Sequence, residues 1–189
     1  MKPKATGTLG IEICVLTGGR SSRMGREKSH LRLGRRSLLG HILATARRSG
    51  CPVRVIGCDL VPRCGPIGGI YTALSTTRKE AVLFLPNDMP FVSVNLLLKL
   101  KARFNSRMKA LFVSAEGKAG FPFLLSREML PLVERRISDQ QFSLQGLADE
   151  AGARFLRLAG GTAEQLFNVN TPADWIAARH RWQTLRRNP

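Results

Sequence analysis

Residues 15–31, VLTGGRSSRMGREKSHL, set two glycines at the end of an apolar run and follow them with Arg20, Arg23, Arg26 and Lys28, opposed by Glu27. Gly18 and Gly19 allow a backbone to approach a ligand with no Cβ in the way. Arg23 can hold phosphate oxygens as a planar fork and Lys28 as a point charge. Such a loop suits a triphosphate whose leaving pyrophosphate gains charge in the transition state. A P-loop is excluded, because five residues separate Gly19 from Gly25 and Arg26 follows. A dinucleotide-binding G-x-G-x-x-G is absent as well. The same residues also describe a basic turn that uses glycine for its geometry, and the loop alone does not choose.

Two further segments carry polar chemistry. In FLPNDMPF, Asp88 follows an apolar run and stands between Pro86 and Pro90, which stiffen the turn. A carboxylate there is well placed for Mg²⁺, or it is an ordinary turn aspartate. In NVNTPAD, Asn168 and Asn170 are two residues apart and share a face of an extended segment. They can complete a metal or phosphate shell, or cap the following helix through an Asx turn.

No Ser-His-Asp or Cys-His grouping can be argued from spacing, which favours a direct displacement over a covalent intermediate. His30, His41 and His180 lie far apart, and Cys14, Cys51, Cys58 and Cys64 form no C-x-x-C pair. The cysteines read as free thiols of a reducing compartment, not as a zinc site. The net charge of +17 calls for an anionic partner. Arg35, Arg36, Arg47 and Arg48 crowd one segment and Arg179, Arg181, Arg186 and Arg187 another. One Tyr and two Trp are too few to give base stacking in a basic setting, so no specific nucleic acid is expected. The start of the chain does not read as a signal peptide, and no apolar run is long enough for a membrane span. A soluble, cytoplasmic protein is the expectation.

The elements that must position these loops alternate along the chain. Strands are predicted at 11–16, 52–57, 81–86, 110–115 and 154–158, with the apolar FPFLLS at 121–126 left unassigned. Helices are predicted at 36–48, 67–77, 93–104 with Ser93 as cap, 127–137, 144–152 and 172–187 with Pro172 in its first turn. This order indicates an α/β fold, a three-layer sandwich around a mostly parallel sheet. Ligands of such sheets sit at the carboxyl ends of the strands, which is where the loops above fall. A single domain over 1–189 is expected, with 1–9 and 186–189 as loose tails.

Taken in order, LTGGRSSRMGREK, DLVPRCGPIGGI, NDMPF and NVNTP resemble the motifs of the molybdenum cofactor guanylyltransferases, the MobA-like nucleotidyltransferases. The likeness spans about residues 11–180 and implies the Rossmann-like nucleotidyltransferase fold of nucleotide-diphospho-sugar transferases. It implies transfer of GMP from GTP to molybdenum-molybdopterin, with Mg²⁺ and release of pyrophosphate. Carried over, Leu16, Thr17, Gly18 and Gly19 would line the nucleotide with backbone groups. Lys28, assisted by Arg23, would bind phosphates and Asp59 would contact the nucleoside. Asp88 would hold Mg²⁺ and touch the nucleotide, and Asn168 and Asn170 would stand on the acceptor side.

The departures fall unevenly. Thr17 stands where Ala is usual and Asn87 where Cys is frequent. Between the first long helix and the D-x-x-P motif only SGCPVRVIGC intervenes, so a strand-helix unit of the family is missing. Phe121 replaces an acceptor-side histidine, and ISDQQFSLQGL lacks an arginine often found there. The nucleotide half therefore resembles the family more than the acceptor half does. A cytidylyltransferase, another NTP transferase with an anionic acceptor, and a non-catalytic member partnering a molybdoenzyme or its assembly proteins remain as alternatives.

Overall fold

The computed structural model describes residues 9–17, 31–61, 63–115, 117–158 and 164–187. Its centre is a six-stranded sheet in the order β4-β1-β5-β7-β6-β8. The strands are β1 (Ile11–Leu16), β4 (Val53–Ile56), β5 (Ala81–Pro86), β6 (Ala110–Ala115), β7 (Lys118–Ser126) and β8 (Arg154–Arg157). β1 pairs in parallel with β4 and β5, and β6 with β8; β7 runs antiparallel to both its neighbours.

The apolar runs bury both faces of the sheet. Along β1 and β5, Ile13, Val15, Leu83 and Leu85 pack with Ile42 of α1 (Leu38–Arg47) and Leu97 and Leu100 of α3 (Val94–Arg103). The alternate residues Cys14, Leu16, Val82 and Phe84 pack on the other face. There they meet Ile67, Ile70 and Leu74 of α2 (Pro66–Thr76), Val133 of α4 (Leu130–Ser138) and Leu147 of α5 (Leu144–Glu150). The period of two along each strand thus creates three layers, as expected. Glu12, the polar interruption of β1, is neutralised across the sheet by Arg54 of β4 at 2.7 Å.

Other elements depart from the sequence reading. A two-stranded hairpin, β2 (Arg32–Leu33) and β3 (Arg36–Ser37), precedes α1. It takes Arg36 and Ser37 from the predicted helix, and the Ser37 hydroxyl caps α1 by accepting from the Gly40 N–H at 3.0 Å. β7 takes up the unassigned FPFLLS and starts at Lys118, three residues before it. A 3-10 turn over Arg127–Met129 leads into α4. The last helix, α6 (Pro172–Arg187), covers the residues predicted for it. At the other end Leu9 packs against the core and the Gly10 carbonyl accepts from Ala81 N–H at 3.2 Å, while the rest of the expected tail, 1–8, lies outside the described residues.

A small third cluster joins the hairpin to α6: Leu33, Leu38, Val169 and Ala178 are buried, with Trp175 and Trp182 packed against them. All four cysteines are free, as expected. Burial and then the Glu12 charge push the Cys14 thiol up to about 12, so it is unreactive at neutral pH. Among the described residues no helix is long and apolar enough to cross a membrane.

Candidate functional site

Three parallel strands end side by side, and each end presents a candidate residue. β1 ends at Leu16 and Thr17. The Thr17 N–H and hydroxyl both donate to the Ile56 carbonyl at 3.0 Å, locking the ends of β1 and β4 together. This gives the threonine a physical reason at a position where alanine was expected: its hydroxyl is consumed by the scaffold. Gly18, Gly19, Arg23 and Lys28 lie outside the described residues.

After β4 the chain turns through Asp59 to the start of α2. Gly65, at φ +56°, sets the helix entry, and Pro66 opens the helix without a side-chain cap. Asp59 is held close against that first turn. A Cβ on Gly68 would stand 2.7 Å from the Val61 carbonyl oxygen and 3.0 Å from Asp59 Oδ2. On Gly69 it would stand 3.1 Å from Leu16 Cδ2 and 3.3 Å from Asp59 Oδ1. The two glycines therefore let α2, the end of β1 and the Asp59 carboxylate meet in one shallow cradle. Burial raises the Asp59 carboxyl above its ordinary value. The nearby Cys64 thiol is also raised, by burial and then by the Asp59 charge. A partly desolvated carboxylate of this kind is suited to accept hydrogen bonds from a ligand.

Thr72 fixes the cradle's outer wall. Its hydroxyl accepts from Leu60 N–H at 2.9 Å and donates to the Gly68 carbonyl at 2.9 Å. The sequence reading missed it; the available signal was a threonine one helical turn after a Gly-Gly pair.

After β5 comes Asp88, half-buried between Asn87 and the buried Met89 and Pro90. Its carbonyl accepts from the Val169 N–H at 2.8 Å. Val169 is fully buried while Asn168 and Asn170 on either side are exposed. One backbone bond thus brings NDMPF and NVNTP together, with two carboxamides flanking the junction. Thr171 and Asp174 contribute to the cap of α6. The Thr171 hydroxyl accepts from Asp174 N–H at 3.1 Å, and Asp174 Oδ2 accepts from the N–H groups of Asn170 and Thr171 at 3.0 and 2.8 Å.

Among the described residues no group of three or more His, Cys, Asp or Glu forms a metal cage. The two loops joined by the Val169–Asp88 backbone bond carry a carboxylate, Asp88, and two carboxamides, Asn168 and Asn170, whose oxygens are hard donors. That set fits Mg²⁺, which binds through one or two carboxylates and takes its remaining ligands from phosphates and water.

The MobA-like NTP transferase domain family matches residues 13–153 of the chain. A molybdenum cofactor guanylyltransferase of Rhizobium leguminosarum is 29% identical over 192 residues, which is 89% of this chain and 90% of the relative. Another from Xanthomonas euvesicatoria is 29% identical over 189 residues, covering 88% and 93%. Among solved structures, a molybdopterin-guanine dinucleotide biosynthesis protein A from Archaeoglobus fulgidus superposes with a TM-score of 0.73 at 20% identity, covering 92% of this chain and 99% of that one. A 4-diphosphocytidyl-2C-methyl-D-erythritol synthase from Anaerococcus prevotii gives 0.72 at 14% identity, covering 94% and 100%. At these identities the structural likeness speaks for the fold.

Proposed function

The chain belongs to the MobA-like NTP transferase family, and on that premise we propose that this nucleotidyltransferase moves GMP from GTP to a molybdopterin-type acceptor and releases pyrophosphate. The observation that carries the reading is the Val169–Asp88 backbone bond. It joins the proposed acceptor loop to the proposed metal carboxylate, beside the strand end that carries Leu16 and Thr17.

In this reading the backbone of Leu16, Thr17, Gly18 and Gly19 lines the nucleotide. Asp59 accepts hydrogen bonds from the nucleoside across the Gly68–Gly69 cradle. Lys28 and Arg23 bind the triphosphate and neutralise the charge that collects on the leaving group. Asp88 would hold Mg²⁺, which when bound supplies positive charge to the phosphates. Asn168 and Asn170 orient the acceptor. An acceptor phosphate oxygen then attacks the α-phosphorus, and the bond to the β-phosphate bridge breaks. Orientation and charge neutralisation do the catalytic work, in keeping with the lack of a nucleophile-base pair in the sequence reading.

Gly18 favours guanine, because a Cβ there would press on a purine. Binding of GTP is therefore expected to exceed that of CTP by about tenfold, or ~1.4 kcal/mol. Calorimetric titration of each nucleotide with Mg²⁺ checks this. Equal affinities would remove the guanine assignment, and a CTP preference would make the chain a cytidylyltransferase. Saturable GTP binding without pyrophosphate release would point to a non-catalytic partner of molybdoenzyme assembly.

A further inference from the structure

The two arginine-rich segments, far apart in sequence, converge. A cavity of about 530 Å³ opens between the β2–β3 hairpin and the C-terminal end of α6, with Arg35, Arg36 and Arg186 among its lining residues. None of Leu16, Thr17, Asp59, Asp88, Asn168 or Asn170 lines it. We infer that this cavity is a second anion site, distinct from the described strand-end residues, that takes a small phosphate-bearing molecule on Arg35, Arg36 and Arg186.

The floor is built rather than incidental. Gly34 turns the hairpin at φ +62°, and a Cβ there would lie 3.0 Å from Trp182 Nε1, so the turn needs glycine for its backbone and for space. His41, buried behind the hairpin, bonds the Leu33 carbonyl through Nε2 at 2.8 Å. Since a carbonyl only accepts, Nε2 is the donor, and this fixes the ring. Trp182 packs edge-on against that ring with centroids 4.7 Å apart. The indole N–H is buried and, among the described residues, has no acceptor.

Among the described residues the rim is cationic and uncompensated: no carboxylate lines the cavity, and none of the three guanidiniums enters an ion pair. Like charges gathered on one concavity repel each other, and an anion relieves that. Guanidinium forks match phosphate oxygens in geometry. A recess of this volume suits a small molecule rather than the backbone of a duplex. The phosphate can come from free pyrophosphate or from an organic phosphate, and the two differ in what else they place against Trp182.

The test uses the full chain with Trp175→Phe, which leaves Trp182 as its single tryptophan. Titration with pyrophosphate is expected to change Trp182 fluorescence saturably, with a dissociation constant below about 1 mM. Arg36→Gln combined with Arg186→Gln should weaken this at least about tenfold. Arg186→Gln alone, at an exposed position in the last turn of α6, serves if the pair does not fold. Lys28→Ala should leave the response intact, which separates this site from the proposed nucleotide site. A parallel titration with ribose 5-phosphate identifies the source: tighter binding than pyrophosphate assigns an organic phosphate, weaker binding a free one. Absence of a saturable response by both fluorescence and calorimetry overturns the proposal. So does a response abolished by Lys28→Ala and indifferent to the arginine variants.

Discussion

The sheet has two halves of different character. In β4-β1-β5 every strand runs the same way, so three carboxyl ends lie together and deliver Leu16, Thr17, Asp59 and Asp88 to one edge. In β7-β6-β8 the reversed β7 interrupts that register, and the half is organised by packing. Phe123 stacks between Phe84 and Phe112 with centroids 5.0 and 4.3 Å apart. The Arg136 side chain, only 3% exposed, pairs with Glu150 and also reaches Gln141 and the Ser143 carbonyl, stapling α4 to α5. A Cβ on Gly146 would collide with that guanidinium at 2.6 Å. The candidate site residues gather where strand direction is uniform, while the mixed half serves as a packed buttress. Phe121 and residues 137–147, where the sequence reading expects departures from the family's acceptor side, fall in that buttress.

Five substitutions test this division. Asp88→Asn is expected to lower kcat/KM for nucleotidyl transfer by at least about 100-fold, the scale for losing one electrostatic contact to a transition state. Circular dichroism should show the fold retained. Turnover near the parental rate would take Asp88 out of the mechanism.

Glu150→Gln should do the reverse. It leaves the Arg136 charge buried with poorer compensation, at a cost of about 3 kcal/mol in stability. GTP affinity measured well below the unfolding transition should hold. A parallel fall in affinity would mean that the halves are coupled and the division is wrong.

Gly68→Ala sharpens the account of the cradle. With a Cβ 2.7 Å from the Val61 carbonyl, backbone must move, at about 1–3 kcal/mol for overpacking. GTP binding should weaken as Asp59 is displaced. Gly69→Ala, whose tightest contact is the Leu16 side chain at 3.1 Å, should be milder in both respects. The opposite ranking by melting and titration would show that Asp59 is not placed by this contact.

The smallest effect belongs to Asp59→Asn and lies in its pH dependence. Burial raises the folded-state carboxyl pKa, so folded protein keeps a proton that unfolded chain has released. Stability of the parent therefore falls as pH rises from the unfolded carboxylate value through the raised folded one, and stays lowered above it. Asparagine does not titrate. The variant's Tm should match the parent's more closely in acid and exceed it slightly at neutral pH, with weaker GTP binding. A variant that melts lower at neutral pH would show that the carboxylate stabilises the fold.

What was legible in the sequence follows from what each feature demands of its residues. β5 and α3 could be read because an uninterrupted apolar run needs cover on both faces and Ser93 is a ready helix cap; its hydroxyl accepts from Leu96 N–H at 3.2 Å. The β2–β3 hairpin was hidden, since strands of two residues have no period to detect. The reversal of β7 was hidden too, because an apolar run does not state its direction. In the candidate site, Asp88 was proposed from its residue type and setting, and Asp59 from the motif resemblance alone. The part that Thr171 and Asp174 play in the cap was not anticipated, because the asparagines beside them offered a ready Asx turn. The Val169–Asp88 bond had no signature at all, being made by backbone on both sides.

That last bond has a consequence for how such a protein can diverge. Because main-chain atoms form the link between the two loops, it does not depend on which side chains occupy positions 168 and 170. Val169, buried in its own cluster, anchors the loop independently of them. Substitution at those two positions therefore leaves the main-chain link between the loops intact. A chain built this way can vary the surface of one loop without cutting its tether to the other.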